Sequence, residues 1–153
     1  MYMFKTFYIG GEYDHVGAKG GAEVHVKAGS LVLDASQLHT LTSRVAYWRK
    51  ANAIHKWFVE NVQDGEDDCD DHEVSKEQMQ SLLDTINEVM DDHGLAQDLL
   101  PTEDGFFFGG TEYDQYYFED LAYTKEVLEK AISELENRKD CPFSFWFVYS
   151  SSW

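Results

Sequence analysis

Residues 37–62 read "QLHTLTSRVAYWRKANAIHKWFVENV", Gln37 to Val62, and the fold turns on whether this stretch is one helix or several pieces. At about 100° per residue, Leu41, Val45, Trp48, Val59 and Val62 share one stripe, widened by Tyr47, Ala51 and Phe58. The pattern predicts a single helix, with Asp34 or Ser36 as its cap. Arg44, Asn52 and His55 fall inside the stripe, and Arg49 and Lys56 line its edge, while Lys50 and Trp57 point almost the opposite way. Polar groups on a packing face need partners, because each one left unpaired costs roughly 1 to 3 kcal/mol. Two completions are open: the chain's own carboxylates and carbonyls, tying helix to sheet, or a bound ligand.

Upstream, "YMFKTFYIGG", "AEVHVKA" and "SLVLD" cluster β-formers between glycines and predict a small antiparallel meander, with turns at Gly10-Gly11, Gly17 and Gly20-Gly21. Downstream, "DGEDDCDDHE" ends the helix. Ser75 and Gln78 make a capping-box pattern for a second helix that carries Met79, Leu82, Leu83, Ile86, Val89 and Met90 on one face, with Gly94 as its C-cap. Pro101 and "GFFFGG" predict a turn and a short aromatic strand. "DQYYFEDLAYTKEVLEKAISELENRK" predicts a third helix, and "FSFWFVYSSSW" a closing buried strand. The expected fold is α+β, one domain over residues 1–153, a small mostly antiparallel sheet covered by three helices.

The chain has 153 residues and a net charge of −17. Residues 1–59 hold seven Lys/Arg against four Asp/Glu, and residues 60–153 hold five against twenty-five, so the halves stand at +3 and −20. That surplus disfavours nucleic acid and membrane surfaces and favours basic partners. No apolar run reaches membrane-spanning length, and the opening residues lack signal-peptide order. The expected compartment is the cytoplasm, with Cys69 and Cys141 as thiols.

The candidate ligand cleft comprises Arg44, Trp48, Arg49, Asn52, His55 and Lys56, faced by Glu112, Tyr113 and Asp114 just after a glycine turn. It is expected to take an anionic, nucleotide-type small molecule. Asp64, Glu66 and Asp68 sit at positions one, three and five of an EF-hand-like loop, but Cys69 replaces its glycine and Ser75 its closing Glu, so no metal is expected. The run from Glu60 to Glu73 holds eight carboxylates and no Lys or Arg. As an alternative site, Asp64, Glu66, Asp67, Asp68, Asp70, Asp71 and Glu73 copy the charge spacing of a phosphate backbone toward a basic protein. No catalytic signature or cofactor motif is present.

"AYWRKANAIHKWFVENVQDGEDDC", "LLPTEDGFFFGGTEYDQYYFEDL" and the terminal "YSSSW" resemble a family of small proteins encoded by bacteriophages and prophages, over most of Tyr2 to Trp153. The recurring positions of that family correspond to Trp48, Arg49, Lys50, Asn52, His55, Lys56, Trp57, Asn61, Asp64 and Gly65, and to Phe107, Gly109, Glu112, Tyr113 and Asp114. The chain departs from it in heavier acidity around Asp70 to Glu73. The resemblance implies an accessory protein in the host bacterial cytoplasm and brings no activity or cofactor with it. By analogy with other small phage proteins, the expectation is a non-enzymatic counter-defence protein that sequesters a nucleotide-type signal, possible also as a homo-oligomer. The alternative is an acidic nucleic-acid mimic that occupies the basic channel of a host nuclease or CRISPR effector. A third reading is a phosphodiesterase-like enzyme using His55 with Glu112 or Asp114.

Overall fold

The computed structural model describes residues 1–9, 26–33, 38–105, 109–141 and 143–152. Along the chain run β1 (Tyr2–Tyr8), β2 (Val26–Ala28), β3 (Leu31–Leu33), β4 (Thr40–Tyr47), α1 (Asn52–Val62), β5 (His72–Val74), α2 (Lys76–Asp91), α3 (Ala96–Leu99), α4 (Gln115–Glu136) and β6 (Ser144–Ser150). Short 3₁₀ turns cover His93–Leu95 and Arg138–Asp140. The fold is α+β: β4, β1, β6 and β5 form an antiparallel sheet in that order, and β2 and β3 pair separately.

The decisive stretch is not one helix. Thr40–Tyr47 is strand β4, paired along β1 from Tyr2↔Tyr47 to Tyr8↔Thr40, and α1 begins only at Asn52. Thr40, Thr42, Val45 and Tyr47 are β-formers, and β1 supplies the backbone partners they need, which overrides the helical spacing of Leu41, Val45 and Trp48. The pairing carries one register shift, between Met3 and Phe4, and Leu41 of the supposed stripe is exposed at 39%. Arg44 and Trp48 therefore leave the helix that carries Asn52 and His55.

The expected meander holds only in part: β2 pairs with β3 antiparallel, but β1 pairs with β4 and β6. The candidate turn glycines between 10 and 21, the caps Asp34 and Ser36, and Phe106–Phe108 of the aromatic strand lie outside the described residues. Strand β5 and the short helix α3 had no counterpart in the sequence reading. Gly94 is not a C-cap: α2 ends at Asp91, and Gly94 sits inside a 3₁₀ turn where its N–H donates to Asp92 Oδ1 at 2.9 Å.

The capping box holds in both directions, with Gln78 N–H donating to Ser75 Oγ at 3.1 Å and Ser75 N–H to Gln78 Oε1 at 2.9 Å. Along β6, Phe145, Phe147 and Tyr149 alternate inward, where they meet Met3, Trp48, Phe58, Leu82, Leu121 and Leu128 in one continuous core. Phe58 stacks on Tyr149 with 4.0 Å between ring centroids. The helices cover that face. Among the described residues, no helix is long and apolar enough to cross a membrane.

Candidate functional site

Between β4 and α1 the chain makes a tight turn, with Lys50 at φ 66° and Asn52 N–H donating to Lys50 O at 2.9 Å. A positive φ at a residue other than glycine is strained and needs surrounding support. Gly109 provides it by close approach: it also has positive φ (43°), and a Cβ there would stand 3.0 Å from Lys50 O. The Asn52 amide locks the contact by donating to Gly110 O at 2.9 Å.

This turn forms one side of a cleft of about 340 Å³. Arg49, Lys50 and the first turn of α1 meet Gly109, Gly110 and Glu112 there, and the first two turns of α4 bring Tyr116, Tyr117, Glu119 and Asp120. Ala51 precedes α1 with no side-chain cap and no acidic residue follows in the first turn. The Ala53 and Ile54 N–H groups meet no acceptor among the described residues. Arg49 and Lys50 make no ion pair among them either. Asp114 is committed, because Oδ1 accepts from the Tyr116 and Tyr117 N–H groups at 3.0 and 3.1 Å and so caps α4.

Comparison with family models, with curated proteins and with solved structures found no match.

The nine residues expected to share one cleft separate into groups. Arg49, Asn52, Glu112 and Asp114 line it. Trp48, 1% exposed, is core: its indole N–H donates to Thr124 Oγ1 at 2.8 Å. His55, also 1% exposed, points inward, with Nδ1 2.7 Å from the Tyr149 hydroxyl and Nε2 3.1 Å from Asp67 Oδ2. A carboxylate only accepts, so Nε2–H donates to Asp67 and Nδ1 accepts from Tyr149. Burial lowers the His55 pKa against the opposing pull of Asp67, which keeps the ring neutral, and burial raises that of Tyr149. Arg44 lies over the Tyr47 ring at 5.7 Å and borders a separate hollow beside Lys5 and Glu134. Lys56 pairs loosely with Glu60 at 4.0 Å, and Tyr113 meets Tyr117 edge-on while its hydroxyl accepts the Thr102 N–H.

The sequence reading missed Lys50, Glu119 and Asp120 as cleft residues. For Asp120 a signal existed: it sits on α4 beside the buried stripe Tyr117, Leu121, Thr124 and Leu128, where a carboxylate is out of place. Burial first, then the neighbouring Glu119 and Asp114, push its pKa up to about 6. The folded carboxyl thus holds its proton more tightly than the unfolded one, so ionisation opposes folding. That penalty is absent below about pH 4, grows as the pH rises toward the folded value and is complete above it. Arg49 and Lys50 are the cations facing the same cleft. Asp120→Asn is expected to stabilise the protein by about 1 kcal/mol at pH 8, after discounting for solvent screening, and by nothing near pH 4. Urea midpoints at the two pH values measure it.

The acidic run is more ordered than a solvated loop. Asp67 faces inward to His55 and accepts from Ser151 Oγ at 3.1 Å. Asp68 Oδ1 accepts from Asp70 N–H and His72 Nε2, both at 2.9 Å, and these bonds lower its pKa. Two of the seven carboxylates assigned to a partner are therefore turned to internal bonds, while Asp64, Glu66, Asp70, Asp71 and Glu73 are exposed and their carboxylates accept no hydrogen bond from any described residue. Among the described residues, no group of three or more His, Cys, Asp or Glu is arranged to hold a metal ion.

Proposed function

We propose that the protein binds a small phosphorylated molecule of the nucleotide type in the cleft between the first turns of α1 and α4, and does not transform it. The observation that carries this reading is that Arg49 and Lys50, with no ion pair among the described residues, share a hollow of about 340 Å³ with the first turn of α1, whose Ala53 and Ile54 N–H groups meet no acceptor among those residues. Guanidinium, ammonium and helix-terminal amides are complementary to phosphate, and the volume falls in the range of small-ligand sites. His55, the acid–base group of the enzymatic alternative, is bonded in the core away from this cleft. With the sequence resemblance, the reading extends to a phage protein that withdraws a nucleotide signal in the host cytoplasm.

A thermal-shift series with nucleoside mono-, di- and triphosphates and cyclic dinucleotides tests it. At a hundredfold excess over Kd, the midpoint is expected to rise by about 5 to 10 °C, and Arg49→Ala to abolish most of the rise. No rise with any member at millimolar concentration would remove the proposal.

The held acidic segment favours a second reading, in which Asp64, Glu66, Asp70, Asp71 and Glu73 engage a basic nuclease or effector as a nucleic-acid mimic. Fixed carboxylates lose less entropy on binding than a free loop does. Complex formation that weakens steeply between low and high salt supports it, and salt-independent binding counts against it.

A further inference from the structure

The cleft holds more negative than positive groups. With Asp114 occupied as a cap, Glu112, Glu119 and Asp120 face Arg49 and Lys50. Glu119 Oε1 accepts from Gln115 Nε2 at 2.7 Å. Asp120 is half-buried, and its carboxylate accepts no hydrogen bond from any described residue. A wholly anionic ligand would bring like charge against these groups. The ligand that satisfies the whole cleft is anionic at the α1 end and carries N–H donors at the α4 end.

Among nucleobases, guanine alone offers two adjacent donors, N1–H and the 2-amino group, whose spacing matches the two oxygens of one carboxylate. Adenine and cytosine place a ring acceptor beside their amino group, and uracil flanks its single N–H with carbonyls; each sets a lone pair against Asp120. Tyr116, 74% exposed at the cleft's rim, offers a ring face for stacking. Building on the proposed nucleotide site, we infer that the cleft selects guanine nucleotides, with Asp120 accepting from N1–H and the 2-amino group.

Isothermal titration calorimetry with guanosine, inosine and adenosine 5′-monophosphates and with ribose 5-phosphate tests this on the wild type and Asp120→Asn. Inosine monophosphate keeps N1–H and lacks only the 2-amino group. The wild type is expected to bind the guanosine nucleotide roughly 10- to 100-fold more tightly than the other two, the range of one to two charge-assisted hydrogen bonds. In Asp120→Asn the guanosine-to-inosine ratio is expected to fall close to one. Equal binding of all three nucleotides by the wild type, or a ratio unchanged in Asp120→Asn, would overturn the assignment of guanine and leave the phosphate site standing. Absence of binding by all four probes would overturn the guanine assignment, and, joined to a flat thermal-shift series, the phosphate site as well.

Discussion

Trp48→Ala is expected to destabilise the protein by about 3 to 5 kcal/mol, the range for emptying a large aromatic site in a packed core. The side chain is 1% exposed and touches three rings, with centroid distances of 5.9 Å to Phe58, 6.2 Å to Tyr123 and 6.4 Å to Tyr149. Its indole N–H is received by Thr124 Oγ1, which in turn donates to Asp120 O at 2.6 Å. Trp48 thus joins the end of β4 to the third turn of α4, just beyond the turns that line the cleft. A protein of this size has about 5 to 15 kcal/mol in hand, so the loss takes a fifth or more of it. Trp48→Phe keeps most of the packing and is expected to cost about 1 to 2 kcal/mol. Guanidinium midpoints for the two variants separate packing from hydrogen bonding. Equal, small losses would mean that Trp48 is not a core residue.

The second large effect is expected at His55. His55→Ala leaves the buried Tyr149 hydroxyl without its acceptor, opens a cavity beneath α1 and releases Asp67 from one of its two bonds. Together these should cost about 3 kcal/mol. The pH dependence carries a sign of its own. The folded pKa of His55 is lowered, so the unfolded chain binds the proton more tightly, and the stabilisation from a neutral ring is present above the unfolded value near 6.5 and lost as the pH falls through it. The stability gap between wild type and His55→Ala is therefore expected to narrow from pH 7.5 to pH 5. A gap that widens on acidification would mean that the ring is charged in the folded state.

The two long helices of the C-terminal half, α2 and α4, were legible because each carries its own signals. Ser75 and Gln78 fix the start of α2, and Asp114 with an unbroken apolar stripe fixes α4. The closing strand was legible from the alternation of Phe145, Phe147 and Tyr149. The stretch from Thr40 to Tyr47 was not, because its conformation is set by a partner strand at the start of the chain, and an apolar spacing of three to four arises equally from a helix and from an irregular strand. The same error placed Arg44 and Trp48 in the cleft. Arg49 and Asn52 were found because cations and an amide on or beside an apolar stripe are local features of the sequence, although the helix starts at Asn52 and not at Gln37. Lys50 and Asp120 were missed because the first points away on a helical wheel that does not exist, and the second lies past Asp114, where the expected cleft stopped.

The central claim is that the first turn of α1 leaves its amides open for a phosphate. Two-dimensional ¹H–¹⁵N NMR of the labelled protein, titrated with a nucleoside monophosphate, reads those amides directly. Saturable shifts of the Ala53 and Ile54 signals, with those of Asp70 to Glu73 unmoved, are the predicted result. Ala53 and Ile54 signals that stay fixed at millimolar nucleotide would contradict it.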